Sequence, residues 1–332
     1  MARSARVAVW RGGAEVTSET VPLPSPGQGE TLVEIDLATV CGSDHHTVSG
    51  RRPGACPSVL GHEGVGRIAG TGQRVVWGVT VSCGACDRCL RGLTAKCRRV
   101  RKLGHERYEP GWPLSGTYAT HVLLPAGTAV VPVPDTLTDE VAAPAGCATA
   151  TVMAALERAG SLNGRRVLIV GAGMLGLTAV AAAAGAGAAE IVVSDVEPAR
   201  LELAVDFGAT STLPAAQTLP TVDVALDFSG AAPAIEEALA ALDIGGSLLL
   251  VGSVSPGPAI RLDPEDVVRG WRSVSGVHNY EPRHLEQAVA FLAASTRPWA
   301  DLVEAPVGLD RVGSLLTGEL GRPRASVRPA NN

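Results

Sequence analysis

The stretch Arg166-Val-Leu-Ile-Val-Gly-Ala-Gly-Met-Leu-Gly176 decides the fold of this chain. A short apolar run leads directly into three spaced glycines, and an Ala-rich segment follows, which predicts a buried strand, a tight turn and a helix over Leu175–Ala184. Gly171 makes the turn, Gly173 lets the backbone approach a pyrophosphate, and Gly176 lets helix and strand pack closely. The helix N-terminus favours negative charge, so the stretch predicts a dinucleotide-binding turn. Its predicted binding residues are Gly171, Gly173, Met174, Leu175 and Gly176.

A carboxylate further along the chain indicates which coenzyme binds. Asp195 lies 24 residues after Gly171, at the end of the next predicted strand, where it can accept both hydroxyls of an adenosine ribose. A 2′-phosphate would be repelled there, so the sequence predicts NAD rather than NADP. Arg200, five residues further on, either contacts the ribose or weakens the preference for NAD over NADP. The alternative interpretation of the three glycines is an ordinary Gly-rich turn. It is disfavoured because a predicted strand, a predicted helix and an acidic residue all lie at the expected positions.

Strands alternate with helical stretches on the C-terminal side of Cys147. This alternation predicts a doubly wound parallel α/β sheet, a Rossmann domain, over residues 147–275. Alternating apolar and polar residues with clusters of Pro and Gly predict a mostly β domain over residues 1–146, to which residues 276–332 return. The predicted strands are 31–37, 119–124, 167–170, 191–194, 222–226 and 247–251, and the predicted helices include Ala232–Leu242 and Pro282–Ala294.

Composition and charge exclude several classes of protein. The chain has 332 residues, of which 46% are hydrophobic and 18% charged, and its formal net charge is -5. These values predict two folded domains and no nucleic-acid partner. Residues 167–189 carry no charge, but glycines interrupt them, so a buried strand and helix are favoured over a membrane span. The apolar run before Arg11 is too short for a signal peptide, and we expect a cytoplasmic protein.

Four of the seven cysteines are closely spaced, as Cys83-x2-Cys86-x2-Cys89-x7-Cys97. In an intracellular chain such spacing indicates metal binding before disulfides. Four thiolates about 2.3 Å from a zinc ion fill its tetrahedral shell, so the predicted site is structural. We expect this four-cysteine lobe, residues 82–99, to be a loop without periodic secondary structure that the metal holds together. A disulfide pair or an iron–sulfur cluster is the disfavoured alternative.

A second group of metal-ligating residue types comes from separate segments. Cys41 opens Cys41-Gly-Ser-Asp-His-His46, His62 and Glu63 lie in Gly61-His-Glu-Gly-Val-Gly66, and Cys147 precedes the predicted coenzyme domain. Three protein ligands with a fourth position open to water or substrate are typical of a catalytic zinc. Each residue alone is more often structural than a ligand. Together they predict a second zinc, which gives two zinc ions per chain.

These motifs resemble those of the zinc-containing medium-chain alcohol dehydrogenases over nearly the whole chain. The resemblance implies a GroES-like catalytic domain joined to a Rossmann domain. It implies that Cys41, His62 and Cys147 bind the catalytic zinc and that Glu63 stands beside the metal as an alternate ligand. It also implies that Asp44 orients His62.

Further roles follow from the same resemblance. Ser43 and His46 are implied to carry the alcohol proton to solvent, and Thr151, one helical turn beyond Cys147, to pack against the nicotinamide. The implied reaction moves a hydride from an alcohol to NAD while zinc polarises the alcohol oxygen. We expect a homodimer or a homotetramer. A non-catalytic module that binds NAD and zinc, such as a redox sensor, is the alternative of a different class, and the retained metal and relay residues disfavour it.

A narrower resemblance concerns the substrate. Segments 102–106, 111–120, 145–151 and 276–280 are similar to the alcohol dehydrogenases associated with phosphonate catabolism. A small phosphonate-bearing alcohol is therefore the implied substrate, and a polyol or an aminocyclitol is the alternative. The basic cluster Arg98-Arg99-x-Arg101-Lys102, with Arg51 and Arg52, agrees with an anionic substrate because arginine binds phosphonate oxygens in pairs. The other interpretation of this cluster is a solvated surface.

Overall fold

The computed structural model describes residues 4–108, 111–318 and 321–329. The chain divides into two units. The first contains the described residues up to Ala150, Glu281–Ser295 and the described residues from Trp299 onward, and the second contains Thr151–Tyr280 and Thr296–Pro298. The main divisions thus fall a few residues beyond the 146/147 and 275/276 boundaries expected from the sequence. Cys147 consequently lies in the first unit.

The strands of the first unit form two mainly antiparallel sheets. They are β1 (Ser4–Gly12), β2 (Glu15–Pro22), β3 (Thr31–Thr39), β4 (Ser58–Val59), β5 (Glu63–Ile68), β6 (Arg74–Val81), β7 (Arg101–Lys102), β8 (His121–Leu124), β9 (Thr128–Pro132) and β16 (Ser326–Val327). The smaller sheet has the order β2-β1-β4, and the larger has the order β16-β3-β5-β6-β7, with β8 paired to β3 and β9 to β6. Trp77 and Tyr118 are fully buried in the core that covers the larger sheet.

The second unit contains one six-stranded parallel sheet. Its strands are β10 (Arg166–Val170), β11 (Glu190–Asp195), β12 (Ser211–Pro214), β13 (Val222–Asp227), β14 (Leu242–Leu250) and β15 (Ser273–Gly276). The order β12-β11-β10-β13-β14-β15 reverses between β10 and β13, which makes their carboxyl ends the topological switch point where such sheets bind ligands. The predicted doubly wound sheet is confirmed.

Helices connect these strands, and their ends follow from local sequence. The helix after the glycine turn begins with Gly173 as its N-cap, and the next helix ends at Gly208, whose φ of 111° only glycine adopts easily. The helices are α1 (Gly42–Val48), α2 (Asp87–Leu90), α3 (Asp139–Ala142), α4 (Ala148–Ala159), α5 (Met174–Gly185), α6 (Pro198–Phe207), α7 (Ala232–Ala240), α8 (Pro264–Arg269), α9 (Pro282–Ala294) and α10 (Val312–Thr317). Short 3-10 helices lie at Thr94–Lys96, Ala143–Gly146, Trp299–Leu302 and Leu309–Arg311.

In the parallel sheet, the sequence predicted the four inner strands and missed the two edge strands. The uncharged stretch 167–189 forms β10 and α5, as predicted, and α9 has the predicted bounds. Edge strands β12 and β15 were not predicted because their residues are mostly polar or small and form no apolar run. Within the described ranges, none of the helices has both the length and the apolar character needed to cross a bilayer.

Candidate active site and metal centres

Four residues predicted from separate segments meet in the first unit. One ligand atom from each of Cys41, His62, Glu63 and Cys147 lies within 4.8 Å of the others. Cys41 is the N-cap of α1, His62 and Glu63 stand where β5 begins, and Cys147 lies between a 3-10 helix and α4. We call this group the catalytic cluster.

Two glycines let these segments approach. Gly61 has a φ of +87°, and a Cβ there would lie 2.3 Å from Thr117 Oγ1, so only glycine fits immediately before His62. A Cβ at Gly146 would lie 2.5 Å from the carbonyl oxygen of Trp77. The backbone before Cys147 therefore packs directly on β6.

A buried carboxylate orients His62. Asp44 Oδ1 lies 3.4 Å from His62 Nδ1, and Asp44 Oδ2 accepts hydrogen bonds from the Cys41 amide at 3.1 Å and the Tyr118 hydroxyl at 2.8 Å. Burial acts to raise the pKa of Asp44, but the facing His62 ring holds it below its usual value. With Nδ1 turned to Asp44, Nε2 of His62 is left for a metal.

Glu63 is held by an arginine that the sequence analysis did not identify. Arg324 Nε lies 2.8 Å from Glu63 Oε2, and Arg324 Nη2 lies 2.9 Å from Oε1 and 3.7 Å from Cys41 Sγ. The Thr39 hydroxyl donates to the same carboxylate at 2.7 Å. Both oxygens of Glu63 thus have protein partners. Arg324 lies in a tail rich in Arg and Pro, and no motif there marks it.

The catalytic cluster fits a zinc ion. Thiolate and imidazole ligands at about 2.0–2.3 Å in a tetrahedron stand roughly 3.3–3.8 Å apart, which agrees with ligand atoms gathered within 4.8 Å. A hydrogen bond from Cys147, with the charges of Arg324 and His62, holds the pKa of Cys41 well below its ordinary value. Cys41 is thereby prepared as a thiolate ligand.

The residues expected to form a proton relay lie on α1. Ser43 Oγ is 3.4 Å from His62 Nε2, and the half-buried His46 has its pKa lowered by burial and by the charge of Arg51. In the part of the chain that the structure describes, no hydrogen bond joins Ser43 to His46. Thr151 lies on α4, 8% exposed, and belongs to the second unit.

His105 is a further residue that the sequence left without a role. Its ring centroid lies 5.0 Å from that of His62. Burial, followed by the charges of His62 and Arg52, lowers the pKa of His105 to about 3, so its imidazole stays neutral. Only the tertiary contact identifies His105, because no ligand spacing connects it to His62.

The four-cysteine lobe gathers its thiols as predicted for a structural metal. The Cys86 and Cys89 sulfurs are 3.4 Å apart and those of Cys86 and Cys97 3.9 Å apart, near the ~3.8 Å edge of a tetrahedral zinc site. The Ala85 amide, then the Arg99 side chain, lowers the pKa of Cys83 to about 5, and its thiolate can bind a cation. All seven cysteines are free thiols.

The expectation of a lobe without periodic structure was wrong. Helix α2 and the 3-10 helix Thr94–Lys96 lie inside it, and Cys89 is part of α2. Glu281, at the start of α9, accepts the Thr94 amide at 2.9 Å and the Ala95 amide at 3.1 Å. These turns were missed because side chains from distant sequence and the clustered thiols hold them, whereas periodicity records only local pattern.

The coenzyme turn has the geometry that its three glycines require. Gly171 has a φ of +94°, and a Cβ at Gly176 would lie 1.8 Å from the Gly171 carbonyl oxygen. A Cβ at Gly173 would meet nothing within 4 Å, so the backbone there faces open space. Met174 and Leu175 are the first residues of α5, and its N-terminus points its free amides into that space. A pyrophosphate fits this arrangement.

The residues predicted to bind the adenosine ribose lie beside this turn. Asp195 ends β11, and its Oδ2 accepts the Ala172 amide at 2.6 Å while Oδ1 accepts the Glu197 amide at 2.8 Å. Arg200 Nη1 lies 4.0 Å from Asp195 Oδ2. The carboxylate is thus fixed next to the glycine turn.

Fold and site together define a two-domain oxidoreductase with two candidate zinc centres, and comparison with known families agrees. Residues 27–135 match the alcohol dehydrogenase GroES-like domain, and residues 175–294 match the zinc-binding dehydrogenase domain. The chain belongs to the zinc-dependent medium-chain alcohol dehydrogenase family, whose members are oxidoreductases acting on CH–OH donors.

Three known proteins illustrate the similarity. The chain is 31% identical to 5-exo-hydroxycamphor dehydrogenase of Pseudomonas putida, with 98% of each chain covered. It is 32% identical to L-threonine 3-dehydrogenase of Chromobacterium violaceum, with 81% of this chain and 82% of that protein covered. The crystal structure of an alcohol dehydrogenase from Thermotoga maritima superposes with a TM-score of 0.92 at 25% identity, over 99% of this chain and 100% of the other.

Proposed function

We propose that this chain is a zinc- and NAD-dependent dehydrogenase that oxidises a small alcohol carrying an acid group, such as a phosphonate. One observation carries the proposal: ligand atoms of Cys41, His62, Glu63 and Cys147 lie within 4.8 Å of one another. The Asp44 carboxylate leaves His62 Nε2 for the metal. Since Arg324 occupies both oxygens of Glu63, we assign the metal to Cys41, His62 and Cys147.

The chain's own residues supply binding and proton movement. A bound zinc ion supplies Lewis acidity to the alcohol oxygen. Ser43 Oγ, 3.4 Å from His62 Nε2, stands where it can accept the hydroxyl proton of the substrate. We propose that His46, half-buried on the same helix, passes this proton to solvent.

We propose NAD as the coenzyme and the turn at Gly171, Gly173 and Gly176 as its pyrophosphate site. The support is Asp195, whose carboxylate two backbone amides fix beside that turn. A 2′-phosphate there would meet a like charge. Thr151 is the residue we propose to contact the nicotinamide.

The acid group of the substrate is the finer part of the proposal. Half-buried Arg52 and Lys102 support it, because both act electrostatically on His105, which touches the metal ligand His62. Among the relatives, the enzyme named for L-threonine takes a substrate that carries a carboxylate, whereas hydroxycamphor is neutral.

A dehydrogenase screen of zinc-replete protein with NAD and with NADP tests the proposal. We expect NAD-dependent oxidation, with kcat/KM higher for 2-hydroxyethylphosphonate than for neutral alcohols of matched length. A higher value for inositol-type polyols would favour a polyol dehydrogenase. No turnover with any alcohol would contradict the dehydrogenase assignment for this chain.

We also propose self-association as a homodimer or homotetramer and a cytoplasmic location. Edge strand β15 leaves backbone groups unpaired, and next to it Val268 and Trp271 are 71% and 82% exposed. A second copy can cover this edge by strand pairing. The seven unpaired cysteines suit a reducing compartment. Light scattering of the purified protein tests the first proposal and cell fractionation the second.

A further inference from the structure

The turn that follows strand β7 packs closely against the loop that carries His62. Gly104 has a φ of +70°, and a Cβ there would lie 2.2 Å from the Gly61 carbonyl oxygen. The Gly104 amide donates to Ser115 at 2.7 Å, and the His105 amide donates to Lys102 at 3.2 Å. Because only glycine permits this approach, the segment that carries Lys102 packs against the backbone that immediately precedes His62.

Lys102 and Arg101 lie on opposite faces of β7. The Arg101 guanidinium stacks over the Trp112 ring, 4.1 Å from its centroid. Lys102 is half-buried on the other face, as expected for neighbouring residues of a strand. Burial, then the charges of Arg52 and Lys96, lowers the pKa of Lys102, while the charge of Cys147 acts in the opposite direction.

Most other cations of the basic cluster already have partners. Arg98 Nη2 lies 2.8 Å from Asp87 Oδ2. The Arg99 side chain hydrogen-bonds to Cys83 of the four-cysteine lobe. These two arginines lie at the predicted structural metal site. Since Arg101 stacks on Trp112, Lys102 is the remaining residue of the segment 98–102 that can bind the acid group of a substrate.

Arg52 and Lys102 lack such partners. Within the described chain neither side chain has an acidic group at ion-pair distance or a side-chain hydrogen bond. The carboxylate of Glu106 is bound to the Lys102 backbone amide, at 2.8 Å. The Arg52 amide donates to the His46 carbonyl at 2.9 Å, which anchors Arg52 at the end of α1. Arg52 and Lys102 repel each other, since the charge of Arg52 lowers the pKa of Lys102, and an anion bound between them would relieve that repulsion.

We infer that Arg52 and Lys102 form an oxyanion subsite beside the catalytic cluster and bind the acid group of the alcohol substrate there. This inference rests on the proposed dehydrogenase function and names the residues that recognise its substrate class. Arg52 contributes a planar pair of donors and Lys102 a point charge, which together suit three phosphonate oxygens.

Charge-removing variants test the subsite. For Lys102→Met and Arg52→Met, the ratio of kcat/KM for 2-hydroxyethylphosphonate to that for 1-butanol should fall about 10–150-fold, mainly through KM of the phosphonate. Lys102→Arg keeps the positive charge and should retain most of the wild-type ratio. Arg101→Met is the matched control, since it removes the neighbouring charge from the opposite face, and should leave the ratio within about twofold. An equal fall in Arg101→Met, or an unchanged ratio in Lys102→Met, would overturn the inference.

A binding measurement separates this inference from the proposed function. Calorimetric titration of zinc-loaded, NADH-saturated protein with methylphosphonate should show binding that Lys102→Met weakens at least about 10-fold. If wild type oxidises no alcohol, the proposed function fails and the titration still decides the subsite. If wild type oxidises the phosphonate but methylphosphonate binds both proteins equally, only the subsite fails. Comparison with 3-hydroxypropionate shows whether phosphonate or carboxylate is the preferred oxyanion.

Discussion

Asp227, at the carboxyl end of β13, provides a sharp test of how the coenzyme cleft is built. Its Oδ1 accepts the Ser229 amide at 3.0 Å, the Ser229 hydroxyl at 2.7 Å and the Gly230 amide at 3.1 Å. A Cβ at Gly171 would lie 3.0 Å from the Ser229 amide nitrogen. Asp227 therefore holds the turn 228–230 against the glycine turn proposed to bind pyrophosphate.

The structure predicts different effects on stability for two substitutions of Asp227. Asp227→Ala leaves two turn amides without their acceptor, which costs about 1 kcal/mol or more for each amide. We therefore expect this substitution to lower the free energy of unfolding by about 2–3 kcal/mol. Asp227→Asn keeps an acceptor and removes a fully buried charge. Burial raises the pKa of Asp227 despite those hydrogen bonds, so the cost of burying the charge outweighs their stabilising effect. We therefore expect Asp227→Asn to change the free energy of unfolding by no more than about 1 kcal/mol.

Urea unfolding and NADH binding measure these effects. Asp227→Ala should weaken NADH binding about 10-fold because the turn is released, and Asp227→Asn less than about threefold. A loss of stability in Asp227→Asn equal to that in Asp227→Ala would refute the reasoning, since the carboxylate's charge would then dominate.

The same residue predicts a pH dependence. The folded-state pKa of Asp227 is raised above its ordinary value of 3.8, so the folded protein keeps a proton that the unfolded chain releases. This stabilising contribution is fully present below pH 3.8 and is lost as pH rises through the folded pKa. Unfolding measured from pH 4 to pH 7 should show wild type losing stability relative to Asp227→Asn as pH rises. A constant difference would contradict a raised pKa.

Three further predictions concern the metals, the coenzyme and the proton path. Cys89→Ser should lower stability and reduce zinc content from two ions to about one, whereas His62→Ala should abolish turnover and leave the fold intact; elemental analysis, urea unfolding and activity assays decide. Asp195→Asn should reduce the kcat/KM preference for NAD over NADP about 10–100-fold, while the exposed Glu197→Gln is the matched control and should not change it. His46→Ala should slow alcohol oxidation on the order of 10-fold near neutral pH and converge with wild type at alkaline pH; an overlay of the two pH–rate profiles would exclude the relay.

The sequence by itself determined the features that depend on local spacing. The glycines at 171, 173 and 176 specify a strand, a turn and a helix because their steric roles are fixed within six residues. The spacing of the four cysteines likewise predicts that their sulfurs gather around one metal ion, because all four lie between residues 83 and 97. The inner strands β10 and β11 were predictable because strands buried on both faces of a parallel sheet contain runs of apolar residues.

Tertiary structure alone decided what lies between these motifs. Arg324 reaches Glu63 across 261 residues, and no local pattern specifies such a pairing. His105 meets His62 only because Gly104 packs on Gly61. Within one basic cluster, strand alternation places Arg101 against Trp112 and Lys102, half-buried, on the other face. Residues adjacent in sequence thus differ in their surroundings, because side-chain partners and burial depend on contacts between distant segments.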